Sequence, residues 1–294
     1  MEKKDRILKC LAYNGKVNVV CVDTTKLVEK ARKTHDLSPV ATAALGRVLT
    51  MATIMGSELK GKEGKITIQI KGNGELGQIV ATANSKAQVK AYVQNPYVDI
   101  PLKQNGKLDV GNAVGKVGFL NVIKDIGLKQ PYVGMVPLVS GEIAEDFTQY
   151  FAISEQTPSV VSLGVLVNKQ GVVVSGGYKI SLMPDSGEEE IKKIENAVEK
   201  MQPISELLTQ NLTLQEIAIK ATGDENIKIL DESIEPVYEC DCSREKMEKA
   251  LISIGKQEIE DIIQEDEKAE LVCHFCNKKY LFSKEELEEI KEKI

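Results

Sequence analysis

Lys65 to Asn84 reads KITIQIKGNGELGQIVATAN, and two folds compete for it. Ile66, Ile68 and Ile70 alternate with polar residues, the mark of a half-buried strand. Gly72-x-Gly74-x-x-Gly77 comes at once after them, with the spelling of a dinucleotide-binding loop. Such a loop must open a helix whose amino end faces a pyrophosphate, yet the next residues are QIVATAN, a second strand. The glycines therefore belong to a hairpin turn, and nucleotide binding drops out.

The stretch before the hairpin, SPVATAALGRVLTMATIMGSELK, begins with Ser38 as an N-cap and Pro39 as first helical residue, then stays apolar nearly all round. That predicts a core helix beneath the sheet. Upstream, KVNVVCVDTT reads as a strand after an Asn14-Gly15 turn, and TTKLVEKARKTHDL as a helix with Leu27, Val28 and Ala31 on one face. Downstream, QVKAYVQN, VGFLNVIKD, YVGMVPLV, VVSLGVLVN and GVVVSGGYKISLM are further strands split by Gly, Asn and Pro turns, with SGEIAEDFTQYFAISEQTP as one helical insertion. Most neighbours are too close for crossover helices, so the sheets are largely antiparallel. The fold class is α+β: a largely antiparallel sheet domain packed with helices, a helical linker and a small C-terminal domain.

The boundaries follow from composition. Near Pro184 the pattern turns polar and helical, broken at Pro203, Asn211 and Gly223, with only a narrow apolar stripe; such short helices are marginal unless they dock on something. This divides the 294 residues into a core, 1–184, a linker, 185–234, and a tail, 235–294. With 42% apolar and 28% charged residues the chain is expected to be a folded soluble protein. No apolar run of about 18 residues suggests a membrane span and no signal peptide opens it, so a cytoplasmic location is expected. The net charge of −6 lies in the tail, where ten Lys/Arg face seventeen Asp/Glu, a balance of −7. That sign is poorly suited to phosphate backbones, and no nucleic acid or membrane partner is expected.

Histidine catalysis has little material, because only His35 and His274 exist. His35, in RKTHD, reads as a solvated helix end. Cys10 and Cys21 sit among apolar residues in the first strands, where a free cysteine behaves as a small buried hydrophobe, and neither is given a role. The other four cysteines, Cys240, Cys242, Cys273 and Cys276, form a Cys-x-Cys and a Cys-x-x-Cys in the tail. In a reducing compartment such pairs are metal ligands or redox groups before they are structural disulfides. Four thiolates close a tetrahedral Zn²⁺ site, one ion per chain, leaving no position for water. The metal would organise a module too small to build an apolar core of its own. His274 could displace one cysteine as ligand, but this is disfavoured because the Cys-x-x-Cys hairpin already presents two sulfurs and His274 would point away from their centre. Cys-x-Cys is unusual in a zinc ribbon, and a disulfide across it would be strained and labile, so the cluster has two states: thiolates on zinc, or two short-range disulfides without it. Ser243 opens a helix just after Cys242, and its amino end, with Arg244 and Lys246, would favour thiolate charge.

CDCSREKMEKALISIGKQEIEDIIQEDEKAELVCHFCNKKYLFSKEELEEI resembles the zinc domain of the bacterial redox-regulated 33-kilodalton heat-shock chaperone family. SPVATAALGRVLTMATIMGSELKG, GNGELGQIVATAN, VKAYVQNP and YKISLMPD extend the likeness over nearly the whole chain. The resemblance implies a cytosolic holdase that is not an enzyme, inactive with zinc bound and activated by oxidants. It implies that the cysteines then form two disulfides, that the linker unfolds, that the protein dimerises, and that unfolding clients are held without ATP. Local closure predicts the pairs Cys240–Cys242 and Cys273–Cys276. Two other readings are weighed against it. A zinc-ribbon protein with a permanently structural metal, binding nucleic acid or a partner, is disfavoured by the acidic tail, the 4% aromatic content and the Cys-x-Cys. A thiol-disulfide oxidoreductase wants a Cys-x-x-Cys opening a helix, whereas Cys273-x-x-Cys276 precedes the strand-like KKYLF.

Overall fold

The computed structural model describes residues 4–61 and 63–294. It begins with a hairpin, β1 (Arg6–Ala12) and β2 (Val17–Asp23), followed by α1 (Thr25–His35) and α2 (Pro39–Ser57). The Ser38 hydroxyl accepts from the Ala41 amide, and Pro39 stands at the first helical position, as the sequence predicts. Every residue of α2 except Pro39 and Arg47 is buried. By length and composition this helix is apolar enough to cross a membrane, but its burial inside the fold marks it as a core helix.

The strands β3 (Lys65–Lys71), β4 (Gln78–Asn84) and β5 (Gln88–Val93) form an antiparallel meander. The turn between β3 and β4 is the glycine motif, and the structure supplies its physical reason. A short helix, α3 (Val110–Val114), brings its carbonyls against the turn: the Gly74 amide donates to Val114 O at 2.9 Å and the Leu76 amide to Ala113 O at 3.0 Å. A Cβ on Gly72 would lie 2.0 Å from Val114 O and one on Gly74 2.3 Å from Ala113 O, so only glycine admits that approach. After α3 come β6 (Phe119–Asp125), β7 (Tyr132–Pro137), α4 (Ala144–Ile153), β8 (Ser159–Asn168) and β9 (Gly171–Leu182). The segment read as a linker forms α5 (Glu188–Glu199), α6 (Ile204–Thr209), α7 (Leu214–Thr222) and a short strand, β10 (Lys228–Asp231); a second short strand, β11 (Val237–Tyr238), falls in the first residues read as the tail. Its breaks fall at Pro203, Asn211 and Gly223, as expected; Asn211 and Gly223 have left-handed backbone, and Gly223 closes α7.

Two sheets result, ordered β10-β1-β2-β9-β8 and β11-β5-β4-β3-β6-β7. Among the described residues every pair in them is antiparallel except β11 with β5. Helix α2 packs against strands of both sheets and is the centre of the larger core. The central strands of the five-stranded sheet, β1, β2 and β9, are buried on both faces for most of their length, and strand periodicity sorts their residues. Ile7, Val20 and Val22 turn toward α2, while Leu8, Cys10, Val19 and Cys21 turn to the opposite face, where Ile194, Ile204, Leu207, Leu208 and Ile217 of α5–α7 cover them.

The chain divides into two compact units, Met1–Glu239 and Cys240–Ile294. The second contains α8 (Arg244–Ile254), α9 (Lys256–Glu265), the hairpin β12 (Lys268–Val272) and β13 (Lys279–Ser283), and α10 (Lys284–Glu292). It does have a small apolar core, contrary to the expectation of none: Leu251, Ile259, Phe282, Leu287 and Ile290 pack together with Cys273 and Tyr280.

Candidate metal centre

Two local structures present the four sulfurs. Cys240 and Cys242 lie on the strand-free approach to α8, whose N-cap Ser243 accepts from the Lys246 amide. Cys273 and Cys276 sit in the turn between β12 and β13. There the amides of Cys276 and Asn277 donate to Cys273 O, at 3.3 and 2.8 Å, and the Cys273 amide donates to Lys278 O at 2.9 Å. Asn277 takes the left-handed conformation (φ 58°) that lets the chain fold back so tightly.

The two structures bring their sulfurs together. All four Sγ atoms lie within 4.8 Å of one another. Cys240 Sγ is 3.6 Å from Cys273 Sγ, and Cys242 Sγ is 3.4 Å from Cys276 Sγ. Tetrahedral coordination with metal–sulfur bonds of about 2.3 Å requires sulfur–sulfur edges near ~3.8 Å, so the cluster fits a four-thiolate metal ion with little adjustment. The chain can hold a metal here. His274 is exposed and outside this group of ligand atoms.

Burial opposes ionisation at Cys240, Cys242 and Cys276. At Cys240 it prevails and holds the thiol well above its usual range, and Cys276 is also raised. At Cys242 burial is overcome by the Tyr280 hydroxyl, which donates to its sulfur at 3.1 Å, and by the neighbouring thiols of Cys276, Cys240 and Cys273; that thiol comes down to about 7. Tyr280 is the residue that sequence reading passes over: a hydrogen bond to a ligand atom orients it and stabilises its charge.

Two expectations about neighbours change. Arg244 reaches Glu286 at 2.5 Å and lies over the Phe282 ring, and Lys246 bonds the Asp241 carboxylate at 2.5 Å and its carbonyl at 2.8 Å. Both cations are engaged with carboxylates, so the charge stabilisation expected of them falls to Tyr280. His35 is half-buried rather than solvated, with Nε2 3.1 Å from the Tyr238 hydroxyl, which also donates to Ala91 O at 2.9 Å. Cys10 and Cys21 are fully buried, as expected of small hydrophobes.

Comparison with known proteins agrees with this architecture. The sequence model of the family described as Hsp33 protein matches residues 5–283. The chain is 48% identical over 288 residues to the 33 kDa chaperonin of Clostridium botulinum (strain Eklund 17B / Type B), covering 98% of this chain and 97% of that protein. It is 46% identical over 292 residues to the 33 kDa chaperonin of Bacillus mycoides (strain KBAB4), covering 99% and 100%. The crystal structure of the 33 kDa chaperonin from Thermotoga maritima matches with a TM-score of 0.89 and 39% identity, over 99% of this chain and 98% of that one. With its α+β core and four-cysteine cluster, this chain belongs to the Hsp33 family of heat-shock chaperones, which are not enzymes.

Proposed function

We propose that the protein is a redox-regulated, ATP-independent holdase, inactive while reduced and zinc-loaded and activated when oxidation expels the metal. The observation that carries this reading is the apolar cluster shared by α5–α7 and the outer face of the five-stranded sheet. Five large aliphatic side chains of the helices are buried there, at about 1.5–3 kcal/mol each. The same contact hides Leu8, Val19, Tyr178 and Ile180 of the sheet. A helical segment that is marginal alone, lying over an apolar sheet face, is a cover whose removal yields two sticky surfaces at once.

Zinc bound by Cys240, Cys242, Cys273 and Cys276 would supply roughly 10 kcal/mol or more of folding energy to the tail and offer no coordination position for a reaction. Oxidation by a peroxide or hypochlorite takes two electrons from each pair of zinc-bound thiolates as their disulfide forms, the oxidant being reduced to water or to chloride and water with protons from solvent, and because disulfide sulfurs cannot serve as thiolate ligands the Zn²⁺ leaves. The tail then unfolds. Its unfolding passes along the chain through residues 223–239, which are held in the first unit by the short pairings of β10 with β1 and β11 with β5. Once these fray, 185–234 behaves as a detachable linker between the core, 1–184, and the zinc tail, 235–294. The exposed surfaces bind unfolding clients and support dimerisation of the oxidised form. A reducing cytoplasm resets the thiols.

The test separates the linker from the metal. A chain truncated near Pro184, and full-length protein carrying Cys273→Ser with Cys276→Ser, should each suppress aggregation of a heat-unfolded client without oxidant, as followed by light scattering. Inactivity of both in soluble, folded form would overturn the proposal.

A further inference from the structure

Cys10 and Cys21, given no role by their sequence setting, occupy a telling position. In the β1–β2 register Leu8 faces Cys21 and Cys10 faces Val19, so the two cysteines are diagonal neighbours on one face of the sheet. Both are at 0% exposure, in the cluster that Ile194, Leu207, Leu208 and Ile217 of α5–α7 cover. We infer that Cys10 and Cys21 form a second, masked thiol site, opened when α5–α7 lift and then modified by a low-molecular-weight disulfide, whose adduct keeps the helices from redocking. This rests on the proposal that oxidation releases those helices.

While covered, the thiols are inert: burial pushes Cys10 up to about 11, and burial followed by the neighbouring Cys10 raises Cys21 well above its usual value. Uncovering removes that penalty and leaves ordinary, accessible thiols on a sheet that α2 still backs. They do not join each other, because diagonal cross-strand neighbours stand roughly 7–8 Å apart, beyond the about 6.8 Å that a disulfide spans between Cα atoms. They react instead with an external disulfide. The cysteine thiolate attacks one sulfur, the external S–S bond breaks, a protein–S–S–R bond forms, and the departing thiolate takes up the proton the cysteine lost. A charged tripeptide such as a glutathionyl group cannot be buried against Leu207 and Ile217, so the adduct holds the cover open. Activation of the zinc centre would thus be remembered at a site in the other unit of the chain.

The experiment uses full-length protein and oxidised glutathione as the probe. Three forms are compared: reduced and zinc-loaded, peroxide-oxidised, and reduced Leu207→Asp, where a charge in the apolar cluster lifts the helices without touching the tail; Ile217→Asp provides a second such variant. Mass spectrometry should find no adduct at Cys10 or Cys21 in the first form and adducts at both in the others. Adducts in the Asp variants but not in the oxidised form would support the masked site while overturning release by oxidation. Unmodified Cys10 and Cys21 in an Asp variant whose 185–222 segment has become protease-sensitive would overturn the inference. Redocking has its own arm: oxidised protein is alkylated with iodoacetate, which leaves a charged carboxymethyl thioether, while its tail cysteines are protected as disulfides, then reduced and recharged with zinc. It should go on suppressing aggregation, whereas Cys10→Ala/Cys21→Ala protein treated alike should fall silent. Silence of both would contradict the block.

Discussion

At the residue scale, Tyr280 decides how readily one of the four sulfurs carries charge. Its hydroxyl lies 3.1 Å from Cys242 Sγ and, ahead of the neighbouring thiols of Cys276, Cys240 and Cys273, opposes burial to bring that thiol down to about 7. Metal binding displaces the thiol proton, so a higher thiol pKa means stronger proton competition. Tyr280→Phe should therefore weaken metal affinity by about 10- to 100-fold, and the pH of half-retention should move upward, as read by chelator competition across a pH series. The disulfide map belongs to this scale too. In the folded cluster the close contacts at 3.4 and 3.6 Å run between the two cysteine pairs, so oxidation of a folded tail would favour crossed bridges. In an unfolded tail, closing loops of 33 or 34 residues costs about 2 kcal/mol more than closing local ones, before the strain of Cys-x-Cys takes part of that back. Peptide mapping should therefore find Cys240–Cys242 and Cys273–Cys276, with metal release and unfolding preceding the second bridge. Dominant crossed pairs would place oxidation before unfolding.

At the element scale, the cover made by α5–α7 should be separable from the rest. Leu208, 1% exposed, belongs to the buried cluster, and Leu208→Ala should cost about 2–5 kcal/mol, concentrated in the docking of these helices. Reduced Leu208→Ala protein should be cut faster within 185–222 by limited proteolysis and should protect a client partially without oxidant. The elements also show what a sequence discloses and what it withholds. The hairpin of β3 and β4 was legible because Ile66, Ile68 and Ile70 alternate and a tight turn joins them; α2 was legible because Ser38 and Pro39 mark its start. The strands β10 and β11 were not, since four and two mostly exposed residues carry no alternation and their pairing is decided by the partners β1 and β5. Helix α3 is five residues long and is anchored by Asp109, which caps the Asn112 amide, a signal too short to register as periodicity. The narrow stripe on the linker helices announced that they must dock; only the fold shows on which face. That Cys240, Cys242, Cys273 and Cys276 cluster was readable from spacing alone, whereas Tyr280, four residues beyond Cys276, looks like any strand tyrosine until the hairpin aims it at Cys242.

At the scale of the whole molecule, the chain joins a unit held by a large two-sheet core to a smaller one with a modest core and four sulfurs in register for a metal. On the proposed switch, such a pairing would place the less self-sufficient folding unit where redox chemistry acts, so that the loss of one ion would unfold a domain. On this reading reduced, metal-loaded protein is silent and oxidised protein active. The decisive experiment takes one preparation, determines its zinc and free tail thiols before and after peroxide, and follows light scattering of a heat-unfolded client in both samples. One zinc, free tail thiols and no protection are expected before oxidation, then loss of zinc, loss of those thiols and suppressed aggregation after it. Equal protection by the reduced, zinc-loaded sample would contradict the switch and reduce the four-cysteine centre to a structural staple.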